Sequence, residues 1–270
     1  MESPAVRGLL IDLDGTLYKG HTMIEGANTL IAALREMSIR FLFVTNNSSS
    51  TPEEVAERLR GMGIAAAADE VCTSAQGAAF YIAKRLEAKK RVFVVGEEGL
   101  RSAIMDAGLQ LVEDNPDIVL QGIDRQLTYS RLSSAVEHIR RGADYILTNP
   151  DVLLPSDGGF IPGAGSISAL LERASGVTPT VIGKPSAILM DFALERLGLP
   201  AAETWVVGDN PATDIAAGNA AGCQSILVLT GLANSENYNE LLQAAACKAD
   251  VVCDNLHKLL EHIQGSAHQQ

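Results

Sequence analysis

The stretch RGLLIDLDGTLYKG, residues 7–20, decides how the rest of the chain is read. An apolar run from Gly8 to Ile11 ends in two carboxylates two positions apart, Asp12 and Asp14, with Gly15 and Thr16 directly after. The nearly continuous apolar residues are the pattern of a parallel strand covered on both faces. Asp-Gly between apolar residues is also a strong turn signal, and it accounts for Asp14 and Gly15. It does not account for Asp12, which interrupts the run before the turn. Residues i and i+2 of an extended segment share a face, so both carboxylates reach one centre. Two like charges there repel and resist desolvation unless something sits between them.

Outward from this strand the chain alternates strand and helix. Apolar runs predict strands at 40–46, 69–74, 91–96, 117–122, 144–149, 178–186, 203–210, 224–231 and 249–255. Helical spacing falls between them, at 27–37, 75–87, 98–107, 128–140, 166–174, 186–197 and 211–221. A further helix starts at a capping box, with Thr51 as cap, Pro52 in the first turn and Glu54 three residues on, and ends at Gly61 or Gly63. Residues 150–165, rich in Pro and Gly, read as a loop, and the last six residues as a frayed end. The fold class is α/β with a mostly parallel sheet. Ligands in such sheets sit outside the carboxyl ends of the strands. Asp12, Asp14, Thr45, Asn46, Lys184, Asp209 and Asn210 all close strands, so they are expected to converge.

The bulk numbers narrow the function. Of 270 residues, 33 are acidic and 21 basic, a net charge of −12. With no basic run longer than KKR at 89–91, nucleic acid is disfavoured as a partner. An acidic protein with a carboxylate cluster needs a cation before it receives an anionic substrate. Cys72, Cys223, Cys247 and Cys253 show no C-x-x-C spacing and read as free thiols of a reducing compartment. No stretch has the length of a membrane span and no leader pattern is seen, so a cytoplasmic location is expected.

Each motif has a plain reading beside the chemical one. FVTNNSSS (43–50) is an ordinary polar strand-to-helix connection, or a hydroxyl and N–H groups holding an anion at a helix start. VIGKPS (181–186) lacks the first Gly spacing of a P-loop, and Pro185 follows the Lys. GAGSIS (163–168) lacks the third Gly of a dinucleotide fingerprint. In VVGDNPATDIAAG (206–218), Asp209 or Asn210 suits a helix cap, but capping leaves the second carboxylate, Asp214, unexplained. The five histidines show no metal-binding spacing.

The order of these motifs is the stronger signal. D-x-D-G-T at the first strand end, Thr at the second, Lys before a helix, then G-D-x-x-x-x-D: the chain resembles the haloacid dehalogenase (HAD) superfamily of phosphatases. The finer likeness is to its NagD-like, p-nitrophenyl-phosphatase-type branch. LIDLDGTLYKG, FVTNNSSS, TNPD (148–151), PGAGSI (162–167), VIGKPS and VVGDNPATDI carry it, over about 250 residues. The resemblance implies a Rossmann-like, doubly wound parallel-sheet core, residues 1–78 and 181–270, with an inserted α/β cap domain at 79–180. It implies that Asp12 is the nucleophile and Asp14 the general acid and then base. Thr45 would bind the phosphoryl group with Asn46 and Asn47 nearby, and Lys184 would neutralise charge on phosphate and nucleophile. Mg2+ would be held by Asp12, Asp209 and the backbone carbonyl of Asp14, with Asn210 and Asp214 supporting.

The implied substrate is a small phosphorylated metabolite: a sugar phosphate, a nucleotide or p-nitrophenyl phosphate. The cap loop 154–165 is the expected specificity element. Its tip is Gly158-Gly159, so Gly159 offers a substrate contact without a recognising side chain, which points to broad specificity. Relatives often associate through the cap, which makes a homodimer an expectation. Two other functions fit the same scaffold: a phosphotransferase or mutase, and a non-catalytic phospho-aspartate module.

Overall fold

The computed structural model describes residues 6–86, 88–156 and 159–267. The chain divides into two compact units. The first comprises Met1–Thr45, Glu53–Cys72 and Lys184–Gln270, the second Asn46–Pro52 and Thr73–Gly183. The sequence expectation drew its boundaries at 78/79 and 180/181.

The first unit is built on a six-stranded sheet in the order Val251–Cys253, Gln224–Val228, Thr204–Gly208, Gly8–Ile11, Arg40–Thr45, Val71–Thr73. Gly8–Ile11 runs parallel to both neighbours, with Ile11 opposite Val207 on one side and Phe43 on the other. Alternate residues go to opposite faces. Leu9, Ile11, Phe41, Phe43, Trp205 and Val207 pack with Leu30, Ile31 and Leu34 of helix Ala27–Glu36 and with Leu259 and Ile263 of helix Leu256–Ala267. Leu10, Leu42, Val44 and Val206 pack on Leu189, Met190, Ala193 and Leu197 of helix Ala187–Leu197. Both faces are covered, which is why these strands read as unbroken apolar runs. The chain winds from Gly8–Ile11 to Arg40–Thr45 in one direction and later fills Thr204–Gly208 on the other side. The reversal falls between Gly8–Ile11 and Thr204–Gly208.

The second unit has its own parallel sheet: Thr180–Val181, Asp144–Leu147, Ile118–Gln121, Arg91–Val95, Gln110–Leu111. Phe93, Val95, Val119 and Tyr145 meet Ala135, Ile139 and Leu171 from helices Tyr129–Arg140 and Ala164–Ser175. Inside that core the Tyr145 hydroxyl donates its one proton to Gln121 Oε1 at 2.9 Å and accepts from Ser168 Oγ at 2.9 Å, and Gln121 Nε2 donates to the Ala164 carbonyl at 3.0 Å. The buried polar groups are thereby satisfied.

Several elements differ from expectation. The strand predicted at 178–186 shortens to Thr180–Val181 and pairs with Ile146 and Leu147 of the second sheet. Lys184 therefore follows a strand of the second sheet, not of the first. The stretch read as a loop at 150–165 contains an antiparallel ribbon, Leu153–Ser156 with Gly159–Pro162, and the following helix starts early, at Ala164. The helix expected at 211–221 is a π-helical turn, Pro211–Ile215, followed by Ala216–Ala220. Helices Tyr238–Ala244 and Leu256–Ala267 occupy stretches to which the pattern assigns no element.

Candidate active site

Asp12 leaves the central strand with its backbone N–H still on the Val207 carbonyl, at 2.9 Å. Asp209 leaves the neighbouring strand directly after Gly208. The two carboxylates thus emerge side by side at the carboxyl end of the sheet, where the winding reverses. Thr16 Oγ1 lies between them, 3.2 Å from Asp12 Oδ2 and 3.4 Å from Asp209 Oδ1. Lys184 is only 3% exposed, and its ammonium donates to Asp12 Oδ1 at 2.5 Å, Asp214 Oδ1 at 2.6 Å and the Val44 carbonyl at 3.2 Å. Asp214 Oδ2 accepts the Asn210 backbone N–H at 3.1 Å, so both its oxygens are held by protein donors. The π turn brings this about. Asn210 caps it, accepting from Ala212 N at 3.0 Å, and the wide turn carries the Asp214 side chain back over the strand end.

Glycines shape the pocket for Asp209. Gly15 adopts φ +83, in the left-handed region, and a Cβ there would fall 2.8 Å from Asp209 Oδ1. A Cβ on Gly231 would lie 2.7 Å from the Gly15 carbonyl oxygen and closer still to Asp209 Oδ2. Asp209 Oδ2 accepts the Leu232 N–H at 2.6 Å, and Thr230 Oγ1 donates to the Gly15 carbonyl at 2.8 Å. A Cβ on Gly208 would overlap the Asp214 side chain. The strand end after Val228 and the turn after Asp14 are therefore locked around one carboxylate.

The electrostatics show what is missing from a cluster of acids alone. Burial, then the charge of Asp12, pushes Asp209 from its ordinary 3.8 up to about 6. Asp214 is raised by burial and by Asp12, against the pull of Lys184. Burial works against the Lys184 ammonium, but Asp12 and Asp214 outweigh it and hold its pKa above the usual lysine value. Asp14 lies at the exposed rim, yet lost solvation and the Asp12 charge raise its carboxyl. One ammonium faces several carboxylates. Oxygens of Asp12, Asp209 and Asp214 lie within 4.8 Å of one another. An all-oxygen set of this kind suits a hard divalent cation. Lys184 and Asn210 each hold one Asp214 oxygen, whereas Asp12 Oδ2 and Asp209 Oδ1 share only the single Thr16 hydroxyl proton, so these two oxygens keep the most capacity for such an ion.

The structure brings together Asp12, Asp14, Lys184, Asp209, Asn210 and Asp214, all in the first unit. Thr45 ends the neighbouring strand, two residues past Phe43, the partner of Ile11. Asn46 and Asn47 group with the second unit. Asn46 Nδ2 donates to Asp151 Oδ2 at 3.2 Å, and Asn47 Oδ1 accepts the backbone N–H groups of Ser49 and Ser50 at 3.0 and 2.9 Å. Gly159 also belongs to the second unit, at the exposed start of the return strand of the ribbon. Its expected partner at the tip, Gly158, lies outside the described residues. Sequence reasoning assigns no role to Thr16, Gly208, Thr230, Gly231 or Leu232. The available signal was Thr230-Gly231 directly after a buried strand, the same strand-end placement as the other site residues.

Among the described residues no helix is long and apolar enough to cross a membrane. A haloacid dehalogenase-like hydrolase model matches residues 9–110, and a HAD-hydrolase-like model matches residues 181–259. The chain is 43% identical over 234 residues to 5'-nucleotidase YutF of Bacillus subtilis, covering 87% of this chain and 91% of that one. It is 44% identical over 229 residues to an acid sugar phosphatase of Staphylococcus epidermidis, covering 84% and 88%. Among solved structures, p-nitrophenyl phosphatase from Archaeoglobus fulgidus superposes with a TM-score of 0.90 at 36% identity, over 96% of this chain and 100% of that one. A 4-nitrophenylphosphatase from Thermotoga maritima gives 0.88 at 37% identity, over 96% and 98%. Strand ends, carboxylates and relatives agree: the chain belongs to the haloacid dehalogenase-like hydrolase family and is an enzyme of its phosphatase class.

Proposed function

We propose that the protein is a Mg2+-dependent phosphomonoesterase of small phosphorylated metabolites that works through an aspartyl-phosphate on Asp12. The observation that supports this most is the Lys184 ammonium held between Asp12 and Asp214 while a second buried carboxylate, Asp209, faces Asp12. Asp12 is thus held in place as an oriented nucleophile. One Asp12 oxygen forms a bond to phosphorus as the bond from phosphorus to the leaving oxygen breaks. Asp14, whose raised carboxyl keeps its proton longer, gives that proton to the departing alcohol. Asp14 then takes a proton from water, the water oxygen bonds to phosphorus, and the acyl-phosphate bond breaks, returning the Asp12 carboxylate and releasing inorganic phosphate. Lys184 neutralises the negative charge gathering at Asp12. Asp12, Asp209 and the Asp14 carbonyl would hold Mg2+, which supplies a Lewis acid for the phosphoryl oxygens.

Thr45 enters the proposal as the hydroxyl that hydrogen-bonds the phosphoryl group. Asn46, Asn47 and Gly159 enter only through the resemblance, as does the role of the inserted unit as a substrate-selecting cap. The same reading keeps a cytoplasmic location, with all four cysteines free. It also keeps the expectation of no nucleic-acid or membrane partner and of a homodimer. The test is phosphate release from p-nitrophenyl phosphate, AMP and a panel of sugar phosphates, with trapping of the phosphoenzyme. Turnover that needs a divalent cation and is lost in Asp12→Asn is expected. Full activity in EDTA, or in Asp12→Asn, would overturn the mechanism.

A further inference from the structure

The second unit carries a crevice of its own. Its sheet reverses direction between Arg91–Val95 and Ile118–Gln121. From the former the chain turns to Gln110–Leu111 at one edge, and from the latter it steps to Asp144–Leu147 and Thr180–Val181 at the other. Open parallel sheets take their ligands outside the carboxyl ends of the strands at such a reversal. A cavity of about 700 Å3 opens there, beside Gly96 after the one strand and Asp124 beyond the other.

Its lining is charged but balanced: Glu97, Glu98 and Asp124 against Arg101, Arg125 and Arg131. Part of this set is already committed to building the wall. Arg125 pairs with Glu97 through its guanidinium at 2.7 Å and its backbone N–H at 2.9 Å. Arg131 lies 3.9 Å over the Phe93 ring, donates to the Val94 carbonyl at 3.1 Å and pairs with Glu113. Asp124 Oδ1 accepts the Gln126 N–H at 2.9 Å. The half-buried Arg101 guanidinium and the Glu98 carboxylate make no hydrogen bond or ion pair among the described residues, so one donor fork and one acceptor remain open. A net anion would meet three carboxylates there, a net cation three guanidiniums, and an apolar ligand no large apolar wall. A neutral ligand with many hydroxyls meets none of these penalties, because each hydroxyl both donates and accepts.

We propose that this cavity binds a neutral polyhydroxylated group, a sugar or sugar alcohol, with Arg101 donating to its hydroxyls and Glu98 accepting from them. Ser49 lines the same cavity. Its carbonyl accepts the Gly99 N–H at 3.0 Å and its own N–H is held by Asn47. Ser49 is four residues from Thr45, at most about 14 Å along the chain. The hydroxylated group is a free, neutral sugar or sugar alcohol.

The test compares the wild-type chain with Arg101→Met and Glu98→Gln, two side chains without polar partners among the described residues, each variant's fold being checked by its melting temperature. Binding of D-ribose and D-glucose is followed by saturation-transfer NMR, with phosphate release from p-nitrophenyl phosphate measured alongside. Losing one charged hydrogen bond is expected to weaken sugar binding about tenfold in each variant. No sugar binding, or binding equal in all three proteins, would overturn the proposal. The proposal does not rest on the phosphatase reading: variant-sensitive sugar binding in a chain without phosphatase activity would sink that reading and leave this one standing.

Discussion

Gly231→Ala isolates the packing around Asp209 from every other property of the site. Gly231 does not adopt a left-handed φ, so alanine brings no backbone strain; the effect is steric. The new methyl would lie 2.7 Å from the Gly15 carbonyl oxygen and closer to the Asp209 carboxylate. Neither neighbour is a flexible chain end. Gly15 is backbone held by Thr230 Oγ1, and Asp209 is 4% exposed and held by Leu232 N–H. If the pocket strains, the cost is that of overpacking, about 1–3 kcal/mol. If Asp209 swings away instead, it forfeits a charge-assisted hydrogen bond of about 1.5–3 kcal/mol. Both routes converge on roughly 2 kcal/mol, and the second also removes a carboxylate proposed to hold the cation. The assay pairs a urea titration with a Mg2+ dependence of phosphate release. A lower midpoint and at least about a tenfold higher Mg2+ requirement are expected. Gly61→Ala, whose Cβ meets nothing within 4 Å, serves as the control. A Gly231→Ala protein with wild-type midpoint and wild-type Mg2+ requirement would refute the reasoning.

The remaining predictions concern charge and protons. Asp12→Asn should yield a folded protein with no trappable phosphoenzyme, checked by acid quench and mass spectrometry. Asp14→Asn should slow sugar phosphates by about 10²–10⁴ and p-nitrophenyl phosphate far less, because p-nitrophenolate leaves without a proton; equal losses on both would argue against a general acid. Lys184→Met leaves Asp12 and Asp214 without their ammonium and should cost about 3–5 kcal/mol of stability, with Asp214→Ala similar and the double variant less than additive. The raised Asp209 makes the native state hold its proton more tightly than the unfolded chain does, so this contribution is present below about pH 4 and is lost as pH rises through about 6. In metal-free protein the melting temperature of wild type minus that of Asp209→Asn should therefore fall over that window, and added Mg2+ should flatten it.

Much of the fold is written in runs such as LLI and LFV, because a strand buried on both faces has no polar residue to confuse the pattern. The proposed site residues Asp12, Thr45 and Asp209 were legible for the same reason: a carboxylate or hydroxyl at or directly after the end of such a run is conspicuous. Three things were not legible. Thr180–Val181 belongs to the second sheet, and nothing local to TPTVIG says which neighbour it will pair with. Pro211–Ile215 winds as a π turn, and the contact this turn sets up, Asp214 with Lys184, is made 30 residues away in sequence. The role of Gly231 depends on Asp209 arriving opposite it, so its own neighbours could only mark a strand end. Helix Leu256–Ala267 is a different case: Leu256, Leu259 and Ile263 carry its spacing openly, and all three are buried.

The place of Gly8–Ile11 in its sheet has a consequence for synthesis. One of its two partners, Thr204–Gly208, lies 196 residues later in the chain. At translation rates of about 5–20 residues per second, the nascent strand waits roughly 10–40 s for that neighbour. Meanwhile Thr73–Gly183, contiguous and holding a whole sheet, is complete before Thr204 is made. The inserted unit thus has all its strands on the ribosome first, while the segment bearing the proposed nucleophile still lacks one partner and is the place where chaperones and off-pathway pairing have their opportunity.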